Sequence, residues 1–238
     1  MISSVYFGAA EKNWSQQTRA DRVWSSPDII NYDYNLAEAK RLLATLRWTD
    51  RNGDGFLEDA GGTTIGFTLK TDSSNTYRVA MANFIRDDLA KVGIKVTLAP
   101  VALNTLIGNV QDDFQYEAAL LGLQAGVPPN PAQGQDVFRS SGRQHFWNTE
   151  QPKPATPEEA RIDALLDTIV GAPDLDARKD AWQEIENIVN YECWLIWLPT
   201  IDVRLPLGNR FGNARPSAIP PDLLWNIDRV YVKTSGQS

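Results

Sequence analysis

Residues 64–99 read TIGFTLKTDSSNTYRVAMANFIRDDLAKVGIKVTLA, and this stretch decides the fold. Its opening positions alternate, with Ile65, Phe67 and Leu69 on one side, which is the period of a half-buried strand. Met81, Ile85, Leu89 and Val92 then recur at helical spacing, predicting a helix over 74–92. Gly93 stands where a left-handed residue ends such a helix. Ile94, Val96 and Leu98 alternate again over 94–99. Strand, helix and strand with short joints make a βαβ unit, whose strands pair in parallel through a right-handed crossover.

The pattern extends in both directions. Upstream, 32–47 predicts a helix with Asn35 as N-cap, Glu38 completing a capping box, and Leu36, Leu42, Leu43 and Leu46 on one apolar face. Downstream come a helix over 101–111, a strand over 116–122, and a loop over 126–142 that is long for a compact domain. Thr156, Pro157 and Glu159 start a further helix, with Ile162, Leu165, Leu166 and Ile169 as its buried stripe. Asp174 opens another through Trp182, Ile185, Ile188 and Val189, running into a short apolar strand at 194–198. Beyond Pro199 the periodicity fades, and 209–221 is rich in Gly, Pro and Asn.

The chain has 238 residues, 42% hydrophobic and 22% charged, with a net charge of −7. That balance fits a globular protein and argues against a nucleic-acid partner, which needs clustered Lys and Arg. No apolar run approaches the roughly 20 residues that span a bilayer. Residues 1–10 carry neither a basic region nor a long apolar stretch, so no signal peptide is read there. One cysteine, Cys193, allows no intrachain disulfide.

Four stretches carry a resemblance to family 5 of the bacterial solute-binding proteins, the peptide- and nickel-binding group. They are YDYNLAEAKRLL at 32–43; Trp48 with DRNGDG at 50–55; DDLAKVGIKV at 87–96; and RIDALL at 161–166, followed by Arg178, Lys179 and a helix into 194–199. The resemblance implies an α/β fold like the C-terminal lobe of a periplasmic binding protein: a mixed, partly parallel sheet flanked by helices, as a fragment of a two-lobed protein. It further implies a lead-in segment at 1–31 from a missing N-terminal lobe, a ligand-binding lobe at 32–199, and a return segment at 200–238 that packs against the missing lobe. The implied role is the solute-binding component of an ABC importer. Such a protein is a periplasmic or extracellular, membrane-associated monomer that captures a peptide-like solute for a membrane permease. A nickel- or metallophore-binding member of the same family is the alternative.

In the peptide-binding members a loop after a central strand carries an aspartate that pairs with the peptide's amino terminus. The matching residues here are 123–131, with Gly126 at the aspartate position, so that charge is absent. The resemblance thus points to Gln124, Ala125, Gly126, Val127 and Pro128 as ligand contacts. Beside them, the stretch His145, Phe146, Trp147 and Asn148 offers aromatic faces and neutral hydrogen bonds, although Phe146 and Trp147 also read as core.

Two other chemistries are legible. Asp50, Asn52 and Asp54 at alternate positions, with Gly55 sixth, match the first half of an EF-hand calcium loop. The twelfth position is Gly61, so Glu58 or Asp59 would have to close the site; the same stretch also reads as a plain acidic turn. No other cofactor is expected. A cysteine hydrolase built on Cys193 and His145 is the rival class. Cys193 reads as a small buried residue beside Glu192, the wrong sign to favour a thiolate, and His145 as a loop or surface histidine, so no enzyme is expected.

Overall fold

The computed structural model describes residues 1–26, 28–123, 126, 129–217 and 224–234. In chain order its elements are α1 (Ile2–Val5), β1 (Ala10–Glu11), α2 (Leu36–Thr45), β2 (Gly66–Asp72), α3 (Thr76–Ala90), β3 (Lys95–Val101), α4 (Leu103–Gln111) and β4 (Ala118–Leu120). They continue with α5 (Gln135–Phe138), α6 (Pro157–Gly171), α7 (Leu175–Glu192), β5 (Thr200–Ile201), β6 (Phe211–Gly212) and β7 (Tyr231–Val232).

The βαβ unit forms as its pattern predicts. β2 pairs with β3 in parallel from Gly66↔Lys95 to Asp72↔Val101, and on its other edge pairs in parallel with β4. The sheet order is β3-β2-β4. Gly93 takes φ +84 past the end of α3, which lets the Ile94 N–H turn back to the Leu89 carbonyl at 3.0 Å. Antiparallel pairs β1-β5 and β6-β7 lie outside this sheet. Val5, Leu69, Met81, Ala82, Val96 and Leu120 form the core between the sheet, α1 and α3.

A second core belongs to the hairpin of α6 and α7. Ile162, Leu166, Ile169 and Ile185 are all fully buried, with Trp182 and Phe138 beside them. The predicted helix start is present in full: Thr156 accepts from Glu159 N–H and Glu159 reaches back to the Thr156 N–H, a complete capping box. Asp174 caps α7 in the same way through Ala177.

Several sequence readings change. The helix over 32–47 shortens to α2; Asn35 caps it through Glu38 N–H, but the Glu38 carboxylate pairs with Arg41, so only half of the expected box forms. Its leucine stripe is not core, since no residue of α2 is buried and Leu42 and Leu46 are each 51% exposed. The loop over 126–142 holds a 3-10 turn at Pro131–Gly134, capped by Asn130, that runs into α5. The strand expected at 194–198 is irregular, because Trp194, Leu195 and Trp197 pack onto the hairpin core instead of meeting a sheet edge. Cys193 is exposed, not buried, in the left-handed residue that ends α7.

The segment ahead of residue 31 packs onto the rest of the described chain. Val5 and Trp24 sit in the two cores, and β1 pairs with β5. The segment after 200 is different: Ile201, Val203, Trp225 and Val232 are each at least half exposed.

Candidate functional site

A cavity of about 400 Å³ lies along the seam between α4, the segment after β4 and residues 133–146. Leu121, Gly122 and Leu123, directly after β4, line it, which places it at the carboxyl end of a parallel strand. Open α/β sheets bind ligands at that end, because the connecting segments there leave a crevice. One wall is the apolar face of α4, with Leu103, Leu106, Ile107 and Val110. Leu106 and Val110 are buried, whereas Leu103 and Ile107 are 45% and 43% exposed and offer apolar surface to a visitor. The facing wall is Gln133, Gly134, Asp136 and Val137 together with Gln144 and Phe146.

That facing wall is fastened from behind. Ser140 donates to Asp163 from its N–H at 2.9 Å and its hydroxyl at 2.6 Å, and Arg139 pairs with Asp167 at 2.6 Å. Tyr116 donates its hydroxyl to the Phe146 carbonyl at 2.6 Å. Burial raises the Tyr116 pKa and keeps it a donor.

The polar lining is amide-rich. Gln16, Gln111, Gln133 and Gln144 reach the cavity with Arg78 and Asp136. Gln16 Oε1 is buried and meets no protein donor, so it is available as an acceptor. Among the described residues no ion pair engages Arg78, which lies in the first turn of α3. Its guanidinium rests on Gly122: a Cβ at that position would lie 2.5 Å from Nη2. A Cβ at Gly126 would lie 1.5 Å from Gln133 Oε1, so an amide fills the space where a side chain at 126 would begin.

The residues singled out from sequence part company. Gln124, Ala125, Val127 and Pro128 lie outside the described residues. Phe146 faces the cavity. Trp147 turns the other way and stacks on Trp194, with ring centroids 5.1 Å apart. Asn148 donates to Gln151 at 2.6 Å. His145, read as a loop or surface residue, is 1% exposed, with Nδ1 at 3.1 Å from the Val137 carbonyl and Nε2 at 3.1 Å from Glu159. Sequence reading missed Gln16, Arg78 and the α4 face. Arg78 had one usable signal, its place just past the carboxyl end of a predicted strand.

A second groove, about 490 Å³, runs over the outer face of α6 and α7 and is lined by Glu158, Asp180, Glu184 and Glu192. It touches neither the sheet nor the segment after β4, so the seam cavity is the candidate site.

Residues 1–145 match the family model described as bacterial extracellular solute-binding proteins, family 5, middle part. The chain belongs to this family. A probable ABC transporter-binding protein of Deinococcus radiodurans is 29% identical over 147 residues, 60% of this chain and 25% of that protein. The oligopeptide-binding protein AppA of Bacillus subtilis is 32% identical over 163 residues, 64% of this chain and 29% of AppA. The solved structure of AppA with a nonapeptide shares the fold at a TM-score of 0.72 and 22% identity, covering 98% of this chain and 44% of that one. NikZ of Campylobacter jejuni, solved with Ni(L-His), does so at 0.71 and 15% identity, covering 98% and 45%. The chain thus spans under half the length of these relatives. These relatives are named as binding and transport proteins, not enzymes, and the periplasmic-binding-protein fold is shared.

Proposed function

We propose that the chain forms the solute-gripping lobe of a binding protein that serves an ABC importer outside the cytoplasmic membrane, acting as a monomer and handing its solute to a membrane permease. The seam cavity carries this reading: an apolar α4 wall faces a fastened wall that offers Gln133, Gln144 and Phe146, at the carboxyl end of a parallel strand. Amides and apolar surface recognise a neutral organic solute by enclosure, with no bond broken. The unpaired Arg78 adds a place for a carboxylate or a sugar hydroxyl. Gly126, with Gln133 against it, supplies no acid at that position, and Asp136 is the one carboxylate in the lining. A peptide-like or oligosaccharide-like solute held by its carbonyls, hydroxyls or carboxylate fits this lining, and Asp136 is the group that would meet an amino terminus. The exposed apolar residues after 200, among them Trp225 and Val232, would face the other lobe of a longer protein.

Nickel is the weaker reading. Among the described residues the sole histidine is buried and bonded, and the one group of three metal-ligating side chains is Asp50, Asp54 and Glu58, a hard oxygen set. Catalysis by Cys193 is weaker still, since partial desolvation and the neighbouring Glu192 carboxylate push its thiol pKa up.

Calorimetric titration of the chain with short peptides, oligosaccharides and Ni(II)–histidine tests the proposal. Binding of an organic member that Arg78→Ala and Ile107→Asp each weaken by at least about tenfold is the expected result. Binding that both variants leave unchanged, or binding confined to Ni(II)–histidine, would overturn it.

A further inference from the structure

We infer that the loop between α2 and β2 is a calcium site, formed by Asp50, Asn52, Asp54 and Glu58. One carboxylate oxygen from each of Asp50, Asp54 and Glu58 lies within 4.8 Å of the other two. One Ca²⁺ with oxygens at about 2.3–2.6 Å spans such a separation. No ion pair among the described residues engages any of the three, so their mutual repulsion has no protein cation to offset it. The one arginine in the loop, Arg51, aims its guanidinium at Thr49 Oγ1 and the Ala60 carbonyl.

Glu58 distinguishes this loop from an ordinary acidic turn. It is 3% exposed; its Oε2 accepts from the Arg51 N–H at 2.7 Å, while its Oε1 is buried with no partner. A buried carboxylate oxygen left unpaired is costly, and a cation bound by the cluster would satisfy it. The backbone is already wound for such a site. Asp50 accepts from the N–H of Gly53 and Gly55, Asn52 from Asp54, and Gly55 sits at φ +91 in the turn that this spacing demands.

The position of the loop says what the ion would do. Leu57 N–H bonds to the Gly93 carbonyl and Ile65 N–H to the Leu57 carbonyl, so the loop is clasped to the amino ends of β2 and β3. The solute cavity lies at the opposite ends of the strands. Calcium would therefore stabilise the βαβ unit and would not form part of the solute.

Calcium is titrated into the chelator-stripped 238-residue chain by calorimetry, by thermal melting, and by Tb³⁺ luminescence sensitised through Trp48. A rise in melting temperature and saturable binding are expected within roughly 10 mM calcium, given the roughly 10⁻⁴–10⁻³ M affinities of extracellular calcium modules. Magnesium should not reproduce the shift, since it demands a stricter octahedral site. Asp50→Asn with Asp54→Asn, and separately the exposed Asp54→Asn, should weaken binding by at least about tenfold while circular dichroism stays unchanged. Should the double variant unfold, Asp54→Asn decides alone. No calcium response, an equal magnesium response, or full calcium binding by Asp54→Asn would overturn the site.

Discussion

Nε2 of His145 stands 3.1 Å from Oε1 of Glu159, and both side chains are almost wholly buried. Glu159 also accepts from the N–H of Ala155 at 2.7 Å, so one carboxylate fastens the cavity's outer segment to the start of α6. Burial by itself would raise that carboxyl. The hydrogen bonds from His145 and Ala155 outweigh it and hold the group down to about 2.

A carboxyl with a depressed folded pKa stabilises the fold above its unfolded value of 4.5 and ceases to do so as pH falls through about 2. Glu159→Gln should therefore cost about 3 kcal/mol at neutral pH, with the deficit shrinking as the medium is acidified below 4.5. Urea titrations of the two proteins at neutral and acid pH measure this. A deficit that stays constant with pH would show that the charge is not what holds the segment.

Glu186 should behave in the opposite sense. It is 2% exposed, and burial pushes its pKa up to about 8 against the hydrogen bond from Ser15, with Asp21 adding repulsion. A raised carboxyl contributes stability that is fully present below its unfolded value and is lost as pH rises through about 8. Glu186→Gln keeps the shape and removes the titration. It should match the parent protein below about pH 4.5 and increasingly exceed it above that, by on the order of a few kcal/mol in mild alkali. Thermal melts across that range decide it, and parallel curves would refute it.

Two glycines separate fold from site. A Cβ at Gly66 would lie 2.4 Å from the Lys95 carbonyl oxygen, a backbone atom fixed by the β2–β3 register. Gly66→Ala should cost about 2 kcal/mol or more. At Gly122 the obstacle is the far end of Arg78, which can swing away. Gly122→Ala should leave stability within about 0.5 kcal/mol while weakening solute binding, because the guanidinium is displaced. Chemical denaturation and calorimetry on both variants distinguish the outcomes; a loss of stability at 122 as large as that at 66 would contradict the geometry.

Equal periodicity need not mean equal burial. Ile185→Ala, at a fully buried position of α7, should cost about 2–5 kcal/mol. Leu42→Ala, half exposed on α2, should cost under about 0.5 kcal/mol. Denaturation midpoints test the contrast, and similar costs would mean that α2 is packed after all.

What could be read from sequence was local. Strand alternation around Phe67 and Val96, the helical stripe of Met81 and Ile85, the caps at Asn35, Thr156 and Asp174, and the turn at Gly93 each follow from preferences within a few residues. They suffice to predict a parallel βαβ unit, and the motifs laid over them point to the family. The half EF-hand at Asp50 is equally local, since one turn of backbone places its side chains.

The rest was settled by contacts between distant segments. Whether an apolar stripe is core depends on what lies opposite, which is why Leu42 stays in solvent while Ile185 does not. Residues 194–198 have the composition of a strand but find no free sheet edge, and their tryptophans and leucine go to the helices instead. His145 looked accessible and proved buried, because Glu159 and Val137 close on it from other parts of the chain. The cavity draws on Gln16, Arg78, α4 and Phe146 at once, and no sequence period links these; only the packing of α4 and the segment after β4 against residues 133–146 brings them to one seam.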